Sequence, residues 1–194
     1  MDYLTAINLL LRKVGTRAVS SPDINHPDVA DAKEVLTIEI GNILNRGWWF
    51  NKRASVRHAP DSSGYINLGA NVIRIEPDRD TRRIYPELSL RGNRVYDVTN
   101  NTCTLTSVIV VDEYIELDWA HIPHTAQLYI AYKAASEFVG DKLEDTPKAN
   151  KLEREAREHM EDLHADELRS TKPNMLDSPN AQHMLSGVRP YWRH

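Results

Sequence analysis

The acidic residues between positions 112 and 118 are the side chains that could most readily carry out acid–base chemistry. If this stretch is a β-strand, alternate side chains point to the same side, and one face carries Asp112, Tyr114, Glu116 and Asp118. Glycosidases use two carboxyl groups about 5–9 Å apart as acid and base. Neighbouring residues on a strand face reach that separation routinely, so the preferred interpretation is a solvated sheet face, with Glu113 also solvated. The alternative is a glycan-hydrolysing or polysaccharide-binding protein, with Trp119 or Trp49 as the sugar platform.

Histidines come closest to a metal-binding pattern. His121 and His124 lie on either side of a predicted helix start, with Asp118 as the nearest carboxylate in sequence. We interpret this pair as part of a junction between structural units, because a metal site needs further ligands. His159 and His164 are five residues apart, a spacing that does not share a helix face. The sequence contains no phosphate-binding loop, dinucleotide glycine pattern or hydrolase motif, so we predict no catalytic residue, no metal site and no cofactor.

An aromatic cluster directly follows the second predicted helix. Its residues could stack a ligand or anchor a protein interface, or they could pack into the core where the helix leads into a strand. In an extended chain adjacent tryptophan side chains point opposite ways. We therefore expect one tryptophan in the core and the other covered by another part of the molecule or by a partner. The predicted structural junction consists of Gly47, Trp48, Trp49 and Phe50.

Two regions with the apolar periodicity of amphipathic helices surround a middle region with strand periodicity. The predicted helices are Asp2–Val14, Pro27–Gly47, a third from Pro123, and a fourth with Thr146 as N-cap that runs to about Leu168. The fourth helix has only a narrow apolar stripe. Since neither helical half can bury its apolar stripe alone, the two halves are expected to pack together.

Short runs of β-branched and aromatic residues predict the strands of the middle region. They are Tyr65–Leu68, Val72–Glu76, Leu88–Leu90, Arg94–Val98, Cys103–Thr106, Val108–Val111 and Tyr114–Leu117. Two-residue connectors at Gly92-Asn93 and Asn100-Asn101 predict a three-strand meander over Pro86–Thr106. The segments Pro60–Gly64 and Pro77–Arg83 are predicted loops. This spacing is typical of a small antiparallel sandwich or barrel.

The simplest architecture is therefore α+β: a four-helix bundle, residues 1–47 and 123–170, interrupted by a small antiparallel β domain, residues 48–122. Residues 171–194 are predicted to form an extended C-terminal tail, in which several prolines exclude a continuous helix. A merely solvated tail would contain few large apolar residues, whereas this one contains Met175, Leu176, Met184, Leu185, Val188, Tyr191 and Trp192. Residues 169–194 also carry four basic side chains against one acid. We expect the tail to become ordered on a partner.

Composition limits the class of protein. The chain has 194 residues, of which 41% are hydrophobic and 27% charged, enough for one domain with an inserted module. Cys103 is the only cysteine, which excludes a disulfide framework and a multi-cysteine zinc site. A net charge of −4 argues against a protein that coats nucleic acid. No apolar run is long enough to span a membrane, so we expect a soluble protein made in a reducing cytoplasm.

Several motifs, taken in order, resemble one known family. They are Arg46-Gly47-Trp48-Trp49-Phe50-Asn51 after a helix, Gly92-Asn93-Arg94-Val95-Tyr96-Asp97 in the β region, Lys133-Ala134-Ala135-Ser136-Glu137-Phe138 in the third helix, and Asn174-Met175-Leu176-Asp177 after the acidic fourth helix. The series is similar to the tail tubular protein A family, the adaptor or gatekeeper proteins of short-tailed bacteriophages. The resemblance covers essentially the whole chain.

The resemblance implies a structural virion protein and not an enzyme. It implies a dodecameric ring between the portal protein and the tail nozzle protein (tail tubular protein B type), with double-stranded DNA passing through the lumen without specific binding. The portal-docking hypothesis then rests on Met175, Leu176, Met184, Leu185, Tyr191 and Trp192. The expected location is the head–tail junction of the virion, after synthesis in the bacterial host cytoplasm and with no membrane partner. The alternatives are a tail-associated protein that binds or hydrolyses glycans and an oligomeric scaffold unrelated to phage.

Overall fold

The structure is a computed structural model that describes residues 1–171. In chain order its elements are α1 (Tyr3–Lys13), α2 (Pro27–Arg46), β1 (Lys52–His58), β2 (Val72–Pro77), α3 (Arg79–Ile84), β3 (Leu88–Arg91), β4 (Arg94–Asp97), β5 (Ile109–Ile115), α4 (His124–Leu143) and α5 (Thr146–Thr171). Short 3-10 turns occupy Trp49–Asn51 and Trp119–His121. Helices and small antiparallel sheets share the chain, which confirms the predicted α+β class.

The four long helices lie close to their predicted positions. The carboxylate of Asp2 caps α1 by accepting a hydrogen bond from the backbone N–H of Thr5 at 2.6 Å. Helix α2 begins at Pro27, because proline suits the first helical turn. Helix α5 continues beyond the predicted end near Leu168, as far as Thr171.

Helix α4 is the central helix and contacts α1, α2 and α5. Its buried alanines, Ala131, Ala134 and Ala135, let neighbouring helices approach closely. Buried apolar residues from all four long helices form one cluster, the helical core, in which Leu10, Leu36, Ile130 and Leu152 are fully buried. Helix α5 contributes a narrow stripe of buried residues, as its sequence predicts: Leu152, Ala156 and Leu163.

The sheet region has a separate hydrophobic cluster. Strands β1, β5 and β2 form an antiparallel sheet in that order, so β5 is the central strand. Strands β3 and β4 form a separate hairpin through the predicted Gly92-Asn93 connector, where Gly92 has a φ of 62°. Sheet and hairpin share the sheet core, in which Val95, Ile109 and Val111 are fully buried.

Several strand predictions are wrong. Strand β1 lies in a segment without a predicted strand, since its mostly exposed residues do not alternate, and pairing with β5 forms it. The predicted meander has two strands, because a single bridge between Asp97 and Thr102 replaces pairing by Cys103–Thr106. The segment Tyr65–Leu68 is also not a strand, although backbone hydrogen bonds connect it to the β3–β4 hairpin.

Tertiary contacts explain two further differences. The predicted loop Pro77–Arg83 contains most of α3, which Asp78 caps at 2.8 Å from the Thr81 backbone N–H. The Thr81 hydroxyl also accepts a hydrogen bond from the Val110 N–H of β5 at 2.9 Å. Strand β5 runs unbroken through the predicted gap around residues 112–113, because it pairs with β1 on one side and β2 on the other. Within residues 1–171, no helix is both long and apolar enough to cross a membrane.

Candidate functional site at the junction of helices and sheet

The chain passes from the helices to the sheet at Gly47–Asn51, which we call the junction. Gly47 follows α2 with a φ of 80°, and Trp48 is only 4% exposed, with its indole N–H donating to a carbonyl of α2 at 3.0 Å. The next residues form a 3-10 turn instead of an extended strand. The expected alternation of the two tryptophans is therefore wrong, because Trp48, Trp49 and Phe50 all pack against the helical core. The expectation of one tryptophan in the core is confirmed by Trp48, whereas Trp49 is half-buried.

The aromatic rings of the junction pack on one another and on α5. The rings of Trp48 and Phe50 are nearly parallel with centroids 6.4 Å apart, and Trp49 meets Phe50 edge-on at 5.1 Å. The His164 ring of α5 lies 5.0 Å from Trp48. Because Trp48 is buried and its neighbours are half-buried, this packing favours the structural interpretation of the cluster over a ligand platform.

Asn51 holds the junction together by three hydrogen bonds and is fully buried. Its side-chain oxygen accepts from the Trp48 backbone N–H at 2.9 Å. Its amide nitrogen donates to the Leu44 carbonyl at 2.9 Å and to the Ile115 carbonyl at 3.1 Å. One side chain therefore connects the end of α2, the 3-10 turn and the end of β5. The only sequence signal for Asn51 was its place in the Arg46–Asn51 motif. Nothing in the neighbouring sequence indicates that its side chain bonds to backbone groups of Leu44 and Ile115.

Arg74 of β2 closes the other side of the junction. Its guanidinium donates to the carbonyls of Asn45 and Arg46 at 3.3 and 3.0 Å, and so pairs backbone groups that the end of α2 leaves free. The same guanidinium lies 4.8 Å from the centre of the Tyr114 ring and pairs with Glu76. Glu76 also accepts a hydrogen bond from the Tyr114 hydroxyl at 3.0 Å. Strand β2 is thereby attached to a helix from which it is distant in sequence.

Gly47 is required by both its conformation and its surroundings. A positive φ of 80° is one that residues with a Cβ rarely adopt. A Cβ added at Gly47 would also lie 2.7 Å from a ring carbon of Tyr114, closer than side-chain carbons approach. The tyrosine ring therefore packs directly on the backbone at the end of α2.

The carboxylates that suggested acid–base chemistry do not form one acidic face. Asp112 bonds to Lys52 at 2.6 Å and accepts the Ser55 backbone N–H at 2.8 Å. Burial raises the pKa of Asp112, but the hydrogen bonds from Lys52 and Ser55 outweigh burial, so the pKa lies below its usual value. Glu116 and Asp118 are exposed and lie beyond the end of β5 at Ile115.

Glu113 is buried, so the expectation that it is solvated is wrong. It is 2% exposed and contacts His58 at 2.9 Å and Arg53 at 3.6 Å, both on β1. The β-bulge between Arg53 and Val56 changes the register of the β1–β5 pairing in this region. Because β1 was not predicted, Arg53 and His58 could not be assigned to Glu113 from the sequence.

The four histidines singled out by the sequence have different surroundings. His121 ends a 3-10 turn and His124 starts α4, with its Nδ1 3.0 Å from the Met1 nitrogen. His159 lies 4.9 Å from the Tyr132 ring, whereas His164 lies against the junction. In the described part of the chain, no group of three or more His, Cys, Asp or Glu side chains is placed to hold a metal ion.

The predicted portal-docking residues, Met175, Leu176, Met184, Leu185, Tyr191 and Trp192, lie outside the described residues. Their role stays a prediction from the sequence.

The junction is a structural feature: the polar side chains of Asn51 and Arg74 are engaged with backbone groups and attach the helical part to the sheet part. The chain belongs to the tail tubular protein family, whose family model, described as tail tubular protein, matches residues 4–184. It is a structural protein of the phage tail and therefore a component of the virion. No match to the chain was found among the curated proteins.

Proposed function

We propose that the chain is an adaptor subunit that joins the portal protein to the tail nozzle protein and forms part of the DNA ejection channel. The observation that carries this proposal is the family match over residues 4–184, because a tail tubular protein must contact other tail components. The motifs that resemble adaptor proteins support the more specific position at the head–tail junction.

The two separate hydrophobic cores support different roles for the helical and the sheet part of the subunit. We propose that residues 1–47 and 123–170 act as a four-helix bundle that forms a dodecameric ring, and that the β domain, residues 48–122, projects from the ring. Separate cores leave each part its own outer surface for a different neighbour. The hydrogen bonds of Asn51 and Arg74 hold those surfaces in a fixed relation, as a connector under load requires.

Charge supports passage of DNA without specific binding. The chain carries a net charge of −4. Lysine and arginine side chains that neutralise phosphates provide most of the non-specific affinity for DNA, and a chain without a basic excess offers little of that attraction. We propose that DNA passes through the ring for this reason without being held.

The C-terminal tail, residues 171–194, is the proposed portal-docking element. It combines basic charge with large apolar residues, and Met175 and Leu176 belong to the only tail motif that resembles the family. The exposed ion pairs of α5 are each worth only about 0.3–0.5 kcal/mol, so they do not drive tight self-assembly. We therefore propose that the free chain is a monomer or weak oligomer and that the ring closes on the portal.

Electron microscopy of the purified chain mixed with its portal tests the proposal. We expect rings on the portal with the wild-type chain. Replacing Met175 and Leu176 with alanine should weaken binding by about 1–3 kcal/mol each, the usual cost of truncating an interface anchor. Leu168→Ala is the matched control, because Leu168 is an exposed apolar residue just before the tail.

Each result has a distinct meaning. If the wild-type chain does not bind the portal, the adaptor proposal is wrong. If the portal complex forms and the Met175 and Leu176 variants bind as well as Leu168→Ala, the tail is not the docking element.

A further inference from the structure

Two exposed isoleucines belong to neither hydrophobic core. Ile38 of α2 is 52% exposed, and Ile84 at the end of α3 is 54% exposed. A single exposed isoleucine is ordinary. These two isoleucines are less ordinary, because Ile38 lies in an acidic surface and Ile84 lies in a basic surface.

Ile38 lines an open groove of about 330 Å³ between α2 and α4, the acidic groove. The other lining residues are Asp31, Glu34, Val35, Phe138, Asp141 and Lys142. Lys142 does not neutralise the whole groove, because it is engaged with Asp28 at 3.0 Å and Asp31 at 2.5 Å. Within residues 1–171, Glu34 and Asp141 have no ion-pair partner, so the groove keeps negative charge beside an apolar floor.

Helix α3 carries the complementary surface, the basic knob, which consists of Arg79, Arg82, Arg83 and Ile84. All four residues are exposed, and Asp80, which pairs with Arg83 at 3.3 Å, is the one acid within α3. The buried Thr81 fixes α3 on the sheet through its hydrogen bonds with Val110. The knob is therefore held in position before it meets any partner.

We propose that the basic knob of one copy binds the acidic groove of a second copy, with Ile84 against Ile38. Because two different surfaces meet, the contact is head-to-tail and can repeat from copy to copy, which builds a ring where the rotation between copies closes. The inference rests on the proposed function in one respect: it takes the ring as the assembly that this contact builds. Seven residues line the groove, fewer than the roughly 20–30 residues a side of a stable interface, so the free chain self-associates weakly.

Disulfide crosslinking between copies detects such a weak contact. On a Cys103→Ser background, one preparation carries Ile38→Cys and an affinity tag, and the other carries Ile84→Cys. Two cysteine thiols react with one oxidised glutathione: its S–S bond breaks, one S–S bond forms between the copies, and the two protons and two electrons leave on two reduced glutathione molecules. A disulfide needs Cα atoms within about 7 Å, so proximity should make this pair form about tenfold faster than Ile38→Cys with Leu168→Cys. Leu168 is a suitable control because it is also exposed and apolar.

Charge reversal tests whether the opposite charges recognise each other. Arg79→Glu with Arg83→Glu in the knob copy should slow crosslinking about tenfold through like-charge repulsion. Glu34→Arg with Asp141→Arg in the groove copy should then restore the rate. Reversal of Glu116 and Asp118, two exposed acids outside the groove, is the control that should not restore it.

Equal crosslinking rates for the Ile84 and Leu168 positions would overturn the proposal, as would a failure of the reversed groove to restore the rate. A third outcome also contradicts it: protection of the Ile38→Cys thiol in the full chain that is lost on truncation after Thr171. That result would mean that the groove binds the chain's own C-terminal segment. Because the assay contains no portal, its outcome is independent of the test of the adaptor function.

Discussion

Replacement of Asn51 by alanine should destabilise the protein more than its small change in volume suggests. Asn51 is fully buried and connects α2, the 3-10 turn and β5 through its side-chain amide. Alanine removes one acceptor and two donors in a place that water does not reach. The change in the free energy of unfolding therefore reports how much these hydrogen bonds stabilise the connection between the helical and sheet parts.

The magnitude follows from the groups that lose their partners. The Leu44 carbonyl still accepts from the Gly47 N–H at 3.2 Å, so it stays paired. The Trp48 N–H and the Ile115 carbonyl each lose their hydrogen bond with Asn51. A buried group without a partner costs about 1–3 kcal/mol. The Trp48 N–H is buried and bears this full cost, whereas the half-buried Ile115 carbonyl adds less, so we predict a loss of about 2–4 kcal/mol.

Asn51→Asp separates hydrogen-bond chemistry from packing, because the two side chains have nearly the same shape. A carboxylate can still accept the hydrogen bond from the Trp48 N–H. Its negative charge, however, is repelled by the carbonyl oxygens of Leu44 and Ile115. Burial raises the pKa of such a carboxyl above its unfolded value of about 3.9. Stability is then greatest below that value and falls as pH rises through the raised pKa. The Asp variant should lie closer to the wild type at acid pH than at neutral pH.

Urea unfolding followed by tryptophan fluorescence provides the measurement, since two of the four tryptophans lie at the junction. Asn150→Ala and Asn150→Asp are the matched controls, because Asn150 is exposed on α5. A loss below about 1 kcal/mol for Asn51→Ala would refute the argument that these hydrogen bonds are unreplaced. Equal pH dependence for the two Asp variants would refute the electrostatic part.

Three further predictions concern Gly47, Glu113 and Glu39. Gly47→Ala should lower the free energy of unfolding by about 1–3 kcal/mol through backbone strain and its clash with Tyr114, and in a double-mutant cycle Tyr114→Ala should recover the part due to the clash. Glu113→Gln should lower the unfolding midpoint, because it removes a buried charge from two basic partners, whereas the exposed Glu116→Gln should change stability by less than about 0.5 kcal/mol. Burial raises the pKa of Glu39, so the free energy of unfolding of the wild type falls as pH rises through that pKa. In thermal melts, Glu39→Gln should therefore raise Tm at pH 7, and this gain should become smaller at acid pH.

The positions of the four long helices follow from the sequence alone. Apolar spacing and Pro27 at a first helical turn are local signals, since they involve residues within one or two turns of one another. The Gly92-Asn93 hairpin is predictable for the same reason, because a two-residue turn depends on its own backbone conformations.

Tertiary structure alone decided the features that connect distant segments. Strand β1 is mostly exposed and acquires its strand conformation from β5, and its basic residues in turn bury Glu113. At the junction, Asn51 and Arg74 find their partners among carbonyls supplied by α2 and β5. No local pattern records such partners, because a buried hydrogen bond depends on which backbone groups the complete fold leaves unpaired at that point.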